Sequence, residues 1–162
     1  MSELLVVGIS DYKMGKAPYV IVTYALGSCI GICLYDHVLK IGGLSHIMLP
    51  DSKMFTQNEI NRMKFADTAI PDMVNALCGM GADRRRITAK IAGGAQMFKV
   101  QDDSPIGMIG TRNTKSVKTV LADLRIPVVK EDTGADYGRT LYFDLATGNV
   151  RIQSLNKTVI QL

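Results

Sequence analysis

One cysteine of this 162-residue chain follows a tight turn, in Ala25-Leu26-Gly27-Ser28-Cys29, and seventeen residues on a histidine closes Gly42-Gly43-Leu44-Ser45-His46. A thiol brought beside an imidazole is the minimal pair for a thiolate nucleophile and its base. The chain holds only three cysteines and two histidines, so the pairing can be tested geometrically. The competing reading is plain core: free cysteine is among the most buried residue types, and a histidine between Leu44, Ile47 and Met48 can be a satisfied interior one. Cys33 and Cys78 stand in apolar strand and helix contexts and read as core, while His37 falls in a turn and reads as solvated.

Strand periodicity makes the test concrete. Taking Ile30–Tyr35 and Ile41–Leu49 as a hairpin centred between Val38 and Leu39, paired positions sum to 77. Gly31 then faces His46 and Cys29 faces Met48, so Cys29 and His46 point to the same face as diagonal neighbours, roughly 7–8 Å apart at the backbone. A slip of one residue would send them to opposite faces, so the pairing requires a turn of even length. A metal reading of Cys29, Cys33 and His37 fails on the same geometry. Four residues of strand span roughly 13 Å, whereas zinc needs its ligands about 2.0–2.3 Å away. No metal or other cofactor is expected.

The elements around this pair suggest a layered α+β domain. Leu4 to Ile9 and Tyr19 to Leu26 read as strands, with Gly15 to Pro18 as a loop and Pro50-Asp51 stopping the strand that carries His46. Asn58 to Met80 changes to helical spacing through Phe65, Ala69, Met73, Ala76, Leu77 and Met80, with Pro71 expected to kink or restart the helix. Ile87 to Ile91 is a strand running into Gly93-Gly94. Thr114 to Leu124 is an amphipathic helix with Asn113 or Thr114 as N-cap. Val128 to Lys130, Thr140 to Asp144 and Val150 to Ser154 are late strands, the last two joined by a turn over Ala146 to Asn149. Strands and helices do not alternate as in a doubly wound sheet. The expected architecture is a sandwich of mixed β-sheets with helices packed on the outside and a cysteine-hydrolase-like site at a sheet edge.

Composition bounds the function. Residues 1–162 are most simply one domain, 47% hydrophobic and 21% charged, the profile of an ordinary globular protein. No apolar run reaches the roughly 20 residues a membrane span needs, so no membrane insertion is expected. Met1-Ser2-Glu3 lacks the basic start and cleavage site of a signal peptide, and three cysteines without framework spacing suit a reducing cytoplasm. The net charge of +4 favours an acidic partner without naming one. Arg84-Arg85-Arg86 reads as a solvated loop. With 6% aromatics and no Trp, no stacking face for nucleic acid is expected.

Five motifs in order resemble the CheD family of chemoreceptor glutamine deamidases. They are Leu26-Gly27-Ser28-Cys29; Gly43 with His46-Ile47-Met48-Leu49-Pro50; Lys90-Ile91-Ala92-Gly93-Gly94-Ala95 with Met97-Phe98; Ile109-Gly110 with Arg112-Asn113; and Asp132, Gly134, Gly138-Arg139, Phe143 and Gly148. Together they run from about Val7 to Val150. The chain departs from the family at Gly134-Ala135, where adjacent glycines are usual. The resemblance implies a catalytic cysteine, histidine and threonine at Cys29, His46 and Thr23. Strand geometry argues against the last, because a two-residue hairpin at Gly27-Ser28 would turn Thr23 to the other face unless a bulge intervenes.

The chemistry so implied is hydrolysis of a glutamine side-chain amide. His46 draws the thiol proton, Cys29 attacks, the Gly27-Ser28-Cys29 turn supplies backbone donors to the oxyanion, and Thr23 orients the imidazole. Gly27, Ser28, Gly93, Gly94, Arg112 and Asn113 are expected to face the substrate, with plain turn chemistry and helix capping as the alternatives for the last four. The resemblance further implies methyl-accepting chemoreceptors as substrate and CheC, a phosphatase of the response regulator, as a partner competing with them. Three other functions remain open from the residues: a receptor- and CheC-binding module without catalysis, a receptor glutamyl methylesterase, and a thiol hydrolase of small amides.

Overall fold

The computed structural model describes residues 3–54, 60–97, 108–154 and 158–162. In chain order its strands are β1 (Leu4–Val7), β2 (Asp11–Lys16), β3 (Val20–Leu26), β4 (Ile30–Asp36), β5 (Ile41–Ile47), β6 (Thr88–Gly93), β7 (Val128–Thr133), β8 (Arg139–Asp144), β9 (Val150–Ser154) and β10 (Val159–Gln161). Two α-helices, α1 (Ala66–Gly79) and α2 (Ile109–Asp123), lie among the described residues. The strands form two five-stranded sheets, β1-β3-β8-β9-β10 and β2-β5-β4-β6-β7. Each sheet is mixed: β1 runs parallel to β3 and β6 to β7, and the other pairs are antiparallel.

The second sheet is the middle layer. Alternate residues of β4, Ile30, Ile32 and Leu34, pack with Ile70, Met73 and Leu77 of α1 and Val117 and Leu121 of α2. The residues between them, such as Cys33 and Tyr35, face the first sheet with Leu44, Leu141, Phe143 and Ile152. A strand covered on both faces reads as a continuous apolar run, and every residue of β4 is buried. The architecture is therefore α+β, two mixed sheets with helices on the outside, as expected from the sequence.

Several boundaries differ from expectation. Gly15 lies in β2 and not in a loop. This polar edge strand pairs only with β5 and shows little apolar alternation. The short edge strand β10 was likewise illegible. Helix α1 starts at Ala66 after an extended Phe65 that bridges to Leu49, and it runs on through Pro71. Asn58, where helical spacing seemed to begin, and Phe98 lie outside the described residues. Helix α2 starts at Ile109, so neither Asn113 nor Thr114 is its N-cap. The Thr114 hydroxyl instead donates back to the Gly110 carbonyl one turn earlier, at 3.0 Å. The first turn of α2 escapes periodicity because Gly110 is pressed against the Gly94 and Ala95 carbonyls, where a Cβ would strike them.

The β4–β5 hairpin has the expected register. Gly31 pairs with His46, and every pair sums to 77 from Ile30–Ile47 to Asp36–Ile41. Four residues, 37–40, join the strands, and Asp36 fixes them. Its buried carboxylate accepts Arg86 Nε at 2.9 Å and Nη2 at 2.8 Å, and the Val38 and Asp83 N–H groups at 3.0 and 2.9 Å. The Arg86 guanidinium, helped by those N–H groups, holds this carboxyl below the usual carboxylate range. A lowered native pKa contributes stability above the unfolded value, about 3.9, and loses it as pH falls toward the native value. Asp36→Asn is therefore expected to cost about 3–5 kcal/mol at pH 7 and clearly less at pH 3, read by denaturant unfolding. An equal cost at both pH values would contradict the ion-pair account.

Candidate active site

His46 and Thr23 meet across the layer between the sheets. Along β5 the side chains alternate, so Ser45 and His46 take opposite faces and His46 turns toward the first sheet. Thr23 Oγ1 lies 2.7 Å from His46 Nδ1 and 2.8 Å from the Val7 carbonyl, and both side chains are fully buried. A hydroxyl has one proton, and a carbonyl can only accept. The Thr23 O–H therefore donates to Val7, and its lone pair accepts Nδ1–H from the imidazole. This fixes the tautomer, leaving Nε2 unprotonated. Nε2 is itself buried and has no hydrogen-bond partner among the described residues. Burial pushes the imidazole pKa down to about 4, so His46 is neutral at physiological pH.

Two local features bring Thr23 to this face. The Gly27-Ser28 turn does not close a two-stranded hairpin. It carries the chain from β3 in the first sheet to β4 in the second, which removes the hairpin geometry that argued against Thr23. In addition, β3 advances three residues from Thr23 to Leu26 while its partner β8 retreats two, from Leu141 to Arg139. The extra residue is a bulge, with Ala25 at φ 59°. Val7 and Thr23 are register partners in the parallel β1–β3 pair, which sets the acceptor for the hydroxyl.

Cys29 ends the crossing turn and packs into the inter-sheet core, keeping 9% exposure. It makes no hydrogen bond to His46 Nε2 in this resting arrangement. Burial pushes its thiol pKa up, opposed by its own backbone N–H beside the sulfur. Three successive carbonyls of the turn are held: Gly27 by Ala95 N–H at 2.9 Å, Ser28 by Asn113 Nδ2 at 2.9 Å, and Cys29 by Gly94 N–H at 2.9 Å. The Gly27 N–H is committed to the Ala25 carbonyl at 3.1 Å.

The outer residues expected at the site divide. Gly93 and Gly94 are buried, at φ 112° and 68°, and a Cβ on Gly93 would collide with the Cys29 carbonyl. Gly93 thus lets the glycine loop approach the Cys29 turn closely, and a Cβ on Gly94 would strike Thr114 and Gly110 of α2. Asn113 is also buried, bonded to Ser28 and to the Met48 carbonyl at 3.0 Å. Arg112 is exposed and lines a groove of about 500 Å³ with Pro50, Met108 and Lys115. Met97 packs over Gly27 and is exposed, as are Tyr24 and Met48.

Arg139, one of the late motif residues, supports this site in a way its place in the sequence does not show. Fully buried, its Nε bonds Asp132 and its Nη2 bonds the Gly134 carbonyl, each at 3.0 Å, while Nη1 reaches the Gly93 carbonyl at 3.5 Å. It braces the glycine loop that grips Cys29. No spacing in the sequence signals that link. Cys29, Cys33 and His37 are strung along and beyond extended β4, and no group of three His, Cys, Asp or Glu side chains among the described residues is arranged to hold a metal.

Comparison with known proteins agrees with the motifs. A family model described as CheD chemotactic sensory transduction matches residues 48–154. A protein of Moorella thermoacetica is 52% identical over 153 residues, covering 93% of this chain and 90% of its own. One of Clostridium novyi is 51% identical over 149 residues (92% and 91%), and one of Syntrophomonas wolfei 48% over 155 (96% of each). All three carry the name "Probable chemoreceptor glutamine deamidase CheD".

Burial of a neutral imidazole has a pH signature. A native pKa below the unfolded 6.5 means stability is complete above about pH 6.5 and declines as pH falls toward 4. In an NMR titration the His46 ring is expected to stay neutral, with the proton on Nδ1, until about pH 4. A midpoint near 6.5, or a proton on Nε2, would contradict the assigned network.

Proposed function

The chain belongs to the CheD family, and we propose that it hydrolyses the side-chain amides of specific glutamines on methyl-accepting chemoreceptors, giving glutamate and ammonia. The observation that carries the mechanism is the buried chain from His46 Nδ1–H through Thr23 to Val7, which leaves Nε2 as a free base on the face that Cys29 shares.

Burial disfavours charge on both partners, so the resting pair is thiol and neutral imidazole. Proton transfer therefore accompanies attack. As the Cys29 sulfur bonds to the amide carbon, Nε2 takes the thiol proton and the carbonyl oxygen becomes an oxyanion. The N–H groups of Ser28 and Cys29 receive that oxyanion, since the Gly27 N–H is already committed. Thr23 keeps an acceptor against Nδ1–H while the ring is positive, as the third member of a triad does. The imidazolium then protonates the departing nitrogen and ammonia leaves. A water, deprotonated by Nε2, attacks the thioester, restoring the thiol and releasing glutamate.

A protein substrate suits the surroundings better than a small amide. Exposed Met97 over Gly27, with Tyr24 and Met48 also exposed near the turn in sequence or pairing, offers the apolar, adaptable side chains that bind helices. Beside Gly94 a groove of about 560 Å³ is lined by several threonines, by Lys115 and by Lys118, which pairs with Glu131 at 2.8 Å, and Lys115 favours an acidic helical partner. CheC is proposed as a second partner competing for this face, and the cytoplasm as the location. No helix among the described residues is long and apolar enough to cross a membrane.

Mass spectrometry of a receptor cytoplasmic fragment tests this reading. The native protein is expected to convert particular glutamines to glutamates, and Cys29→Ala to convert them at least about 10³-fold more slowly while still binding the fragment. Equal conversion by both proteins would sink the proposed nucleophile. No conversion by either, with binding intact, would favour a purely regulatory binding module.

A further inference from the structure

Asn113 is the fifth residue of α2 and is fully buried. Both protons of its side-chain amide go to main-chain carbonyls, Ser28 at 2.9 Å and Met48 at 3.0 Å. A planar amide holds two such acceptors about 5 Å apart. One side chain thus ties the turn that ends in Cys29 to the segment leaving β5 two residues after His46. Neither bond serves the helix's own backbone, so capping does not account for this asparagine.

The Ser28 carbonyl shares a peptide unit with the Cys29 N–H. In a planar trans peptide these two groups point in opposite directions. A Ser28 carbonyl drawn into α2 therefore turns the Cys29 N–H away from the helix, and that N–H lies beside the Cys29 sulfur. The following peptide is fixed as well, through the bond from Gly94 N–H to the Cys29 carbonyl. Both planes flanking the nucleophile are held from outside the turn.

We infer that Asn113 is a positioning residue: by gripping the Ser28 carbonyl it aims the Cys29 N–H at the oxyanion formed during glutamine hydrolysis. The inference rests on the deamidase reading above and adds to it a residue that never touches substrate. Its main action falls on the step in which charge develops on oxygen. Alkylation of Cys29 builds no oxyanion and feels Asn113 only through the lesser support that the same N–H gives the sulfur.

The test compares native protein, Asn113→Asp and Cys29→Ala on the receptor fragment, measuring kcat, KM and the rate of Cys29 alkylation by iodoacetamide. A carboxylate at 113 donates to neither carbonyl. The expected result for Asn113→Asp is a fall in kcat of about 10²-fold, the scale of losing one oxyanion donor. KM and alkylation should stay within about threefold of native. The deficit should narrow as pH falls from 8 to 6, because a buried carboxyl has a raised pKa and regains one donor on protonation. An unchanged kcat overturns the inference, as does a parallel loss of kcat and alkylation, which marks general damage to the turn. If the native protein itself converts no glutamine, the deamidase reading has failed and not the role of Asn113.

Should Asn113→Asp fail to fold, the native protein answers by NMR. A glutamine-like peptide aldehyde adds to Cys29, forming a carbon–sulfur bond while the thiol proton passes to the former carbonyl oxygen. The Cys29 amide resonance is expected to move downfield, with the Asn113 amide protons slow to exchange throughout. A Cys29 amide that does not move, or Asn113 protons that exchange freely, overturns the inference.

Discussion

The Thr23 hydroxyl has a single proton, and that proton goes to Val7. The histidine tautomer follows from this, and with it the identity of the free base nitrogen. The bond from His46 to Thr23 is also a bond between the two sheets, made in a layer filled mainly by apolar side chains. A buried polar contact of this kind is costly if left half made and specifies one arrangement when complete. Thr23, Val7 and His46 are complete on the Nδ1 side. On the other side Nε2 is left without a partner, and a buried acceptor in that condition is stable only because the surrounding fold holds it.

That fold holds it by register. His46 faces the first sheet because β4 and β5 pair with Gly31 opposite His46, and that pairing is pinned at the far end by Asp36. A one-residue slip would present Ser45 instead. Cys29 is fixed differently, through main-chain carbonyls gripped from the glycine loop after β6 and from α2, with Arg139 bracing that loop. His46 and Cys29 thus rest on separate supports that meet at Asn113. Strands, one helix and a glycine loop braced by Arg139 carry the geometry, the kind of support a precise site requires.

The parts legible in the sequence were those governed by local periodicity. Period-two alternation and an even turn were enough to place Gly31 opposite His46, and the layered α+β class followed from element order. Thr23 was named only through family resemblance. Its geometry was misread because Gly27-Ser28 looks like a hairpin turn, and nothing local reveals that the chain changes sheets there. The start of α2 was hidden because residues 109–113 face glycine, carbonyls and solvent and show no apolar stripe. Gly93, Gly94 and Asn113 were expected to meet a substrate. In the fold they meet segments sixty to eighty-five residues away in sequence, a range at which spacing carries no signal.

The central claim is that glutamine hydrolysis passes through a bond to the Cys29 sulfur, with His46 neutral at rest and Nε2 as the base. The most direct measurement is acid-quenched intact mass analysis of the protein mixed with excess receptor fragment, at times shorter than one turnover. The account predicts a transient adduct equal to the substrate less ammonia, localised to Cys29 and discharged by hydroxylamine as a thioester is. Glutamate appearing at full rate with no adduct on Cys29 at any time would contradict it.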